Sequence, residues 1–262
     1  MESPDPGLKP RSLQWLKPAA IGIAAGTLLL GLATVVLHLA GGSMPPAGPA
    51  GSNRLGDLPD AATLGWDALD PPVRQVAGWI IRSANNRQTA FFIVDKQGAS
   101  LLAFRADGRL VGMTPVLIGS AMGDDSVTGI GERPLEHVLP HERTTPAGRF
   151  LAELGSNGLG EQVVWVDHDA AVSMHAVRAL VRSERRNERV ASPGADDNRI
   201  SYGCINVPLA FFEAVVKPVF ERTRAFVYVM PDTRPLEQVF PGLHLEPRLS
   251  DQPRPLRDPG RV

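Results

Sequence analysis

The feature that most constrains this chain is an uninterrupted apolar run with the length of a membrane span. The run, AAIGIAAGTLLLGLATVVLHLA at residues 19–40, contains no Asp, Glu, Lys or Arg. About 20 apolar residues are enough for a helix to cross the hydrocarbon core of a bilayer. Its one ionisable side chain, His38, falls near the far end, where it can reach the interface. We therefore predict a transmembrane anchor at 19–41, so the folded domain must be built from the rest of the chain.

The flanking charges predict the orientation of this span. Basic side chains precede it at Lys9, Arg11 and Lys17, and the next one follows only at Arg54. By the positive-inside rule, residues 1–18 are cytoplasmic and the remainder lies in the periplasm, with the chain held in the inner (plasma) membrane. A cleaved signal peptide is an alternative that would also export the chain. A buried core helix is a third alternative, which the Gly/Pro-rich stretch from residue 41 disfavours.

Composition restricts the class of the exported part. The formal net charge of the 262-residue chain is −1, so the basic footprint of a nucleic-acid-binding protein is missing. Apolar residues make up 43%, which is enough to form a hydrophobic core. We expect one domain at 71–232, between a flexible Gly/Pro/Ala/Ser-rich linker at 42–70 and a loosely attached Pro/Arg-rich tail at 233–262.

The hydrophobic pattern predicts a mostly β domain with a few helices. Residues 71–84 carry apolar side chains at helical spacing behind two prolines, which predicts an entry helix. Three short apolar runs separated by Gly-containing turns predict an antiparallel meander. These runs lie at 90–95, 101–105 and 109–118, ahead of a Gly/Asp-rich loop at 119–131. Further strands are expected at 148–153, 163–167 and 225–230, with a helix at about 208–219.

The segment 178–199 is rich in arginine, and two interpretations of it remain open. One is a solvated helix followed by a loop. The other is a flap over an active site, whose arginines meet substrate carboxylates.

The sole cysteine, Cys204, lies in the string SYGCINV at 201–207. With one cysteine, no intramolecular disulfide can form. The preceding glycine permits close backbone approach, and successive N–H groups at such a turn can stabilise an oxyanion. The segment after it looks helical, and a helix N-terminus would favour a thiolate. The alternative is a small buried hydrophobe, although a free thiol in an oxidising compartment calls for a use.

A thiol nucleophile needs a base, and histidine is the usual one. His175, in VSMHAV, has apolar neighbours on both sides, a pattern typical of a histidine at a strand end and equally of a satisfied core histidine. His137 and His141 share a proline-containing loop, where a metal pair is a weak alternative. His168 follows an apolar strand in a charged turn, and His244 lies in the predicted tail.

Together these pieces resemble the L,D-transpeptidase (YkuD-type) catalytic domain. That family carries Ser/Thr-His-Gly-Cys followed by an apolar residue and Asn or Arg, and residues 201–206 read SYGCIN. A histidine upstream begins the same signature, and His175 matches it. Residues 145–150, TPAGRF, match the family's Thr-Pro-x-Gly-x-Phe, and the run from Phe91 resembles its opening strands. The matches occur in family order across about 90–231.

The resemblance implies a β sandwich or barrel and a cysteine acyltransferase acting on peptidoglycan stem peptides. Cys204 would attack the carbonyl of an L-centre followed by a D-residue, and His175 would take the thiol proton. The thioacyl-enzyme would pass its acyl group to an amine, giving 3→3 crosslinks or protein attachment. No metal or organic cofactor is implied. Backbone N–H groups around Tyr202, Gly203 and Cys204 would hold the oxyanion. The residues that would hold it or position the substrate also include Ser201 and Asn206.

Two departures from the family pattern bear on substrate and activity. Tyr202 replaces the family's second histidine, and a tyrosine can donate a hydrogen bond but does not serve as a base near neutral pH. The interval from His175 to Ser201 is longer than the family's, because it contains most of the Arg-rich segment. Two alternative functions therefore remain: an L,D-carboxypeptidase or endopeptidase that hydrolyses the thioester, and a cell-wall-binding domain without turnover.

Overall fold

Strand β1 (Phe91–Asp95) lies at the centre of the domain, and all of its side chains are buried. The structure, a computed structural model, describes residues 65–243. Because both faces of β1 are covered, its sequence FFIVD shows no alternation of polar and apolar residues. Its neighbours are β2 (Ser100–Phe104), which runs antiparallel, and β10 (Ala225–Val229), which runs parallel.

These strands belong to one mixed sheet in the order β3–β2–β1–β10–β5–β6–β7–β9. A small second sheet pairs β4 with β8 in parallel. The predicted antiparallel meander of β1, β2 and β3 is confirmed. The remaining strands are β3 (Leu110–Pro115), β4 (Ile118–Gly119), β5 (Gly148–Ser156), β6 (Gln162–Asp167), β7 (Val172–Ala176), β8 (Arg199–Ser201) and β9 (Ile205–Val207).

Helices are few and mostly short, so the prediction of a mostly β domain is confirmed. The helix expected at 208–219 is interrupted by a π-helical turn, Phe212–Val216. Pro218 lacks an N–H and cannot bond to the carbonyl of Ala214, and the wider turn accommodates that missing bond. Within residues 65–243 the α-helices are α1 (Pro71–Arg82), α2 (Arg186–Ala191), α3 (Leu209–Phe211), α4 (Lys217–Phe220) and α5 (Leu236–Val239).

The alternation of side chains along β1 divides the core into two clusters. Phe92 and Val94 join a large cluster formed with β5, β6, β7, β9 and the helical segment 209–220. Strands from opposite ends of the sheet, β2 and β9, both contribute to this cluster, so the sheet curls around it. Phe91 and Ile93 face the other way, into a cluster covered by α1. Both faces of β1 are therefore sealed by apolar packing.

The entry helix predicted at 71–84 is confirmed as α1. Pro71 and Pro72 occupy its first turn, where a missing N–H costs no helical hydrogen bond. Val76 and Ile80, one helical turn apart, are fully buried against the sheet. This apolar stripe explains why the segment docks as a helix rather than continuing the linker.

Two predicted boundaries are wrong. The linker expected at 42–70 already has structure from residue 65, with a 3₁₀ turn at Trp66–Ala68 and Leu69 packed into the second cluster. The tail expected at 233–262 is ordered as far as Leu243, because α5 carries Phe240 and Leu243 into the same cluster. In both places, isolated apolar residues spaced among Gly and Pro were enough to anchor the chain. The rest of the linker and tail, and the whole predicted anchor at 19–41, lie outside the described residues; among residues 65–243, no helix has the length and apolar character needed to cross a membrane.

Candidate active site

Parallel strands β7 and β9 bring the predicted site residues together. Their register pairs Met174 with Ile205 and His175 with Asn206. Met174 and Ile205 belong to the large cluster, so the alternate positions face the other side of the sheet. Cys204 directly precedes β9, and it follows the same alternation. The residues sharing this face are Ser173, His175, Cys204 and Asn206.

The Cys204 sulfur lies beside a pocket and touches two polar neighbours. Its Sγ is 3.6 Å from the Ser173 Oγ and 3.8 Å from the carbonyl oxygen of Ala171. It lines a pocket of about 240 Å³, whose other walls come from residues between 126 and 144, from 170–172 and from Tyr202. The thiol is half-buried, so the alternative of a buried structural cysteine is wrong. The sulfur is therefore accessible from this pocket.

No helix begins at Cys204, so the expectation that a helix N-terminus favours its thiolate is wrong. β9 follows at once, and α3 starts only at Leu209. The extended backbone of Pro208 separates the strand from the helix. Ile205 and Val207 alternate along the strand, and both pack into the large cluster. The backbone of this short run also pairs with β7, which a helix could not do. The positive end of a helix is therefore not what acts on this sulfur.

The turn before Cys204 is fixed by side chains of the SYGCIN string itself. Ser201 donates through Oγ to the carbonyl oxygen of Cys204 at 2.6 Å, and Asn206 Nδ2 donates to the same oxygen at 3.2 Å. Gly203 has φ +126°, a backbone conformation that favours glycine. A Cβ at Gly203 would also lie 2.7 Å from the carbonyl oxygen of Thr144. Ser201 and Asn206 thus act on the backbone of the turn, and Gly203 permits its shape.

The oxyanion prediction needs one correction. The N–H of Gly203 donates to Ser201 Oγ at 3.0 Å, so it is not free to hold an oxyanion. Outside the strand ladders, neither Tyr202 nor Cys204 donates its N–H to an acceptor within residues 65–243. The donors left for a developing oxyanion are therefore the N–H groups of Tyr202 and Cys204.

Thr145, the first residue of TPAGRF, braces this turn from behind. Its buried Oγ1 donates to the Gly203 carbonyl at 2.9 Å and accepts from the Gly119 N–H at 2.9 Å. A Cβ at Gly119 would come within 2.3 Å of the Arg143 carbonyl oxygen, so the strand end can approach this segment only as glycine. The threonine hydroxyl thereby links β4 to the cysteine turn.

A buried ionic cluster in turn holds Thr145. Lys96 Nζ, fully buried, donates to the Thr145 carbonyl at 2.9 Å and to Asp124 Oδ1 at 2.9 Å, and Asp232 lies 3.3 Å away. Asp232 also pairs with Arg199 of β8, which leads into the cysteine turn. This cluster has no signature in the sequence, because its members are far apart along the chain and each lies in an ordinary turn or strand end.

His175 presents one free ring nitrogen. Its Nδ1 lies 2.9 Å from the carbonyl oxygen of Ala176, and because a carbonyl only accepts, Nδ1 carries the proton. The unprotonated Nε2 is then the proton acceptor. Burial lowers the pKa of His175 below its usual value; the Ala176 carbonyl opposes this shift, and the positive charges of Arg178 and Arg186 reinforce it. A neutral imidazole and a thiol thus share one sheet face, which are the components of nucleophilic catalysis by a cysteine.

Tyr202 points outward into the pocket region rather than into the core. Its side chain is 38% exposed, and the Arg143 guanidinium lies over its ring at 4.1 Å from the centroid. Arg143 is held by hydrogen bonds from Nε and Nη2 to the Val138 carbonyl. The ring is therefore positioned as one wall of the pocket beside Cys204.

The Arg-rich segment combines features of both interpretations. Most of its side chains are exposed, as expected for a solvated helix and loop, here α2 and its flanking turns. Arg186, however, donates through Nη1 to Asn206 Oδ1 at 2.5 Å and pairs with Glu184. Arg178 pairs with Glu161. The segment is thereby fastened beside the sheet face that carries His175.

Within residues 65–243, the other histidines are His137, His141 and His168, and none of them lines the pocket beside Cys204. His137 and His141 are exposed on short 3₁₀ turns. His168 stacks on Trp165 with ring centroids 5.4 Å apart and pairs with Glu153. Within residues 65–243, no group of three or more His, Cys, Asp or Glu side chains is arranged to hold a metal ion. His244 lies outside the described residues.

Comparison with known proteins gives structural likeness at low sequence identity. No protein-family model matches the sequence, and no curated protein matches it. The catalytic domain of an E. faecium L,D-transpeptidase is 19% identical with a TM-score of 0.29, covering 55% of this chain and 98% of that one. The helical cell shape determining protein Pgp2 from Campylobacter jejuni is 15% identical with a TM-score of 0.36, covering 56% and 49%. An L,D-transpeptidase from Xylanimonas cellulosilytica is 17% identical with a TM-score of 0.32, covering 54% and 60%. Likeness at these TM-scores assigns no activity to this chain.

Proposed function

We propose that this protein is a cysteine acyltransferase of the L,D-transpeptidase type, acting on peptidoglycan stem peptides. The observation that carries the proposal is the placement of Cys204 at a pocket, on the sheet face that also carries His175. The resemblance of SYGCIN and TPAGRF to the family's motifs supports it, because both strings build the turn that presents the sulfur.

In the proposed reaction, the Cys204 sulfur forms a bond to the carbonyl carbon of the L-centre, and the thiol proton passes to His175. The developing oxyanion is held by the N–H groups of Tyr202 and Cys204. As the intermediate collapses, the carbon–nitrogen bond to the D-residue breaks, and the departing amine takes the proton from His175. An acceptor amine then attacks the thioester and loses its proton to His175. The carbon–sulfur bond breaks, and the departing sulfur takes that proton back, which restores the thiol and the neutral imidazole.

Intact-protein mass spectrometry tests the nucleophile. The full chain in detergent is incubated with a disaccharide-tetrapeptide and, separately, with imipenem, the ligand found in the solved structure of L,D-transpeptidase LdtMt1. We expect a covalent adduct on Cys204 with each reagent and none with Cys204→Ala. His175→Ala should acylate slowly, whereas His168→Ala, a matched change on an exposed turn, should acylate like the natural protein. No adduct from a folded protein with a reduced thiol would overturn the proposal.

The same assay separates the alternative functions. If the adduct is lost by hydrolysis and only the shortened peptide acid is released, the protein is a carboxypeptidase or endopeptidase. A protein that forms no adduct but binds purified cell walls is a binding domain. The observation favouring that last candidate is Tyr202, whose ring lies on the pocket wall. By the motif resemblance alone, this is the position where the family carries a histidine.

We also propose that the domain works in the periplasm, held at the inner membrane by residues 19–41. The support is the uncharged apolar run and the basic residues that precede it. Alkaline phosphatase, active only outside the cytoplasm, fused after Leu64 should be active and should remain in the membrane fraction. An inactive fusion would overturn the orientation, and release of the reporter from the membrane would favour a cleaved signal peptide.

A further inference from the structure

Ser173 makes a contact with the reacting sulfur that the sequence analysis did not identify. Its Oγ lies 3.6 Å from the Cys204 Sγ, and within residues 65–243 this hydroxyl has no other hydrogen-bond partner. Ser173 is 5% exposed, so its hydroxyl has little access to bulk water. A buried hydroxyl without a partner is costly, and here the sulfur is the partner.

The sulfur has few other sources of stabilisation in its ionised form. No helix begins at Cys204, and the Gly203 N–H is taken by Ser201. The second atom near the sulfur, the Ala171 carbonyl oxygen, accepts from a thiol but cannot donate to a thiolate. A hydroxyl can do either, because its hydrogen rotates to suit the partner.

The strand geometry places Ser173 beside the sulfur and His175 further along. Ser173 directly precedes the Met174–Ile205 pair on β7, as Cys204 does on the partner strand. Side chains two residues apart on a strand are about 6.6 Å apart, so His175 lies one repeat further along the same face. The proton can leave towards His175 while the charge that remains on sulfur stays in contact with the hydroxyl.

We infer that Ser173 donates a hydrogen bond to the Cys204 thiolate, and so belongs to the nucleophilic centre of this enzyme. The inference rests on the proposed function, since it gives the serine a role only if Cys204 reacts as a thiolate. In the resting thiol, Cys204 donates to Ala171 and Ser173 holds the sulfur in place. When the proton leaves, the Ser173 O–H turns its hydrogen to the sulfur.

The pH dependence of alkylation tests this without any substrate. Cys204 is the only cysteine in the chain, so iodoacetamide incorporation into the full-length protein reports on this sulfur alone. A hydrogen bond to a charged group shifts an ionisation by about one pH unit when it is lost. We expect the midpoint of the rate–pH profile to rise by about one unit in Ser173→Ala and in Ser173→Gly. Ser173→Thr, which retains the hydroxyl, should restore it.

A control removes an exposed hydroxyl far from the pocket. Ser83→Ala deletes the bond from Ser83 Oγ to the Trp79 carbonyl at the end of α1, and it should leave the midpoint unchanged. An unchanged midpoint in folded Ser173→Ala and Ser173→Gly would overturn the inference. A shifted midpoint in a protein that never forms an acyl adduct would uphold the serine's contact with the thiolate, and the proposed acyl transfer alone would fall.

Discussion

The neutral ring of His175 sets the expected acid limit of activity. Burial, the main cause, lowers its pKa, so the neutral form that accepts a proton persists below the ordinary value of about 6.5. Activity that depends on this form is present above the lowered pKa and is lost as pH falls through it. We therefore expect the acid limb of kcat/KM for acyl transfer to have its midpoint below pH 6.5, measured from pH 4.5 to 8.

Removing a neighbouring charge should move that limb in a known direction. Arg178→Gln removes a positive charge that disfavours the protonated ring, so the midpoint should rise. Arg182→Gln, a change of the same type on an exposed position of the same segment, should leave it in place. An acid limb above pH 6.5 would contradict the assignment of His175 as the base.

Gly203 combines a positive φ with a close backbone contact, so a side chain there would disturb the cysteine turn. Gly203→Ala forces a Cβ to 2.7 Å from the Thr144 carbonyl oxygen at a φ that L-residues rarely adopt. Strain of this type costs about 1–3 kcal/mol, and we expect at least a tenfold loss of acylation rate because the turn presents the sulfur. Gly158→Ala, which meets open space on the β5–β6 turn, is the control. Equal acylation rates and equal urea midpoints in the two variants would show that the turn tolerates a side chain.

At the scale of elements, the cysteine turn depends on a segment more than 50 residues earlier in the chain. Thr145→Val keeps the shape of the side chain but leaves the Gly203 carbonyl and the Gly119 N–H without their buried partner. Each orphaned buried group costs about 1–3 kcal/mol, so the free energy of unfolding in urea should fall by at least the lower figure. Thr145→Ser keeps the hydroxyl and should lose much less. Similar losses in both variants would mean that packing, not the hydrogen bonds, matters at this position.

Sequence patterns predicted those elements that carry their own periodicity. The meander, α1 and the strand pair β5–β6 have long apolar runs or clear turns, and each was found close to its expected place. β9 was not predicted as a strand, because three residues have no period and only the pairing with β7 makes them a strand. The order of residues 233–243 was missed because it depends on packing against α1.

The candidate site was predictable in its residue types but not in its contacts. Cys204 and His175 stand out in the sequence, and the structure puts them on one face. Ser173 was within reach of the same reasoning, since a serine two positions before His175 on a strand must share its face. The engagement of the Gly203 N–H by Ser201 could not be foreseen, because it depends on how the turn closes.

For the whole domain, the buried charge cluster makes stability sensitive to acid. Burial alone would raise the pKa of Asp124, but hydrogen bonds from Lys96, Thr233 and the backbone N–H groups of Asp232 and Arg234 outweigh it and hold the pKa well below the usual range. The stabilisation is therefore complete above pH about 4, the unfolded value, and is lost as pH falls further towards the native value. We expect the Tm to fall steeply from pH 4 to pH 2.

Asp124→Asn tests the source of that loss. At pH 7 the variant should unfold with a free energy about 3 kcal/mol lower, because Lys96 loses one of its buried partners. Its Tm should then fall less between pH 4 and pH 2 than that of the natural protein. Asp107→Asn, an exposed change in the β2–β3 turn, should keep the natural acid profile. A profile for Asp124→Asn that parallels the natural one would assign the acid loss to other carboxylates.

The position of β10 links the layout of the sheet to the order in which the chain is made. Among the strands of residues 65–243, β10 is the last to be synthesised, yet it lies between β1 and β5 and joins the two halves of the sheet. Phe91 of β1 pairs with Phe226 of β10, so this edge of β1 stays unpaired until β10 has been made. Contacts between such distant parts of a chain form slowly. The nascent chain therefore stays incompletely folded until its last strand is available, a state in which a polypeptide can still be threaded through a translocation pore.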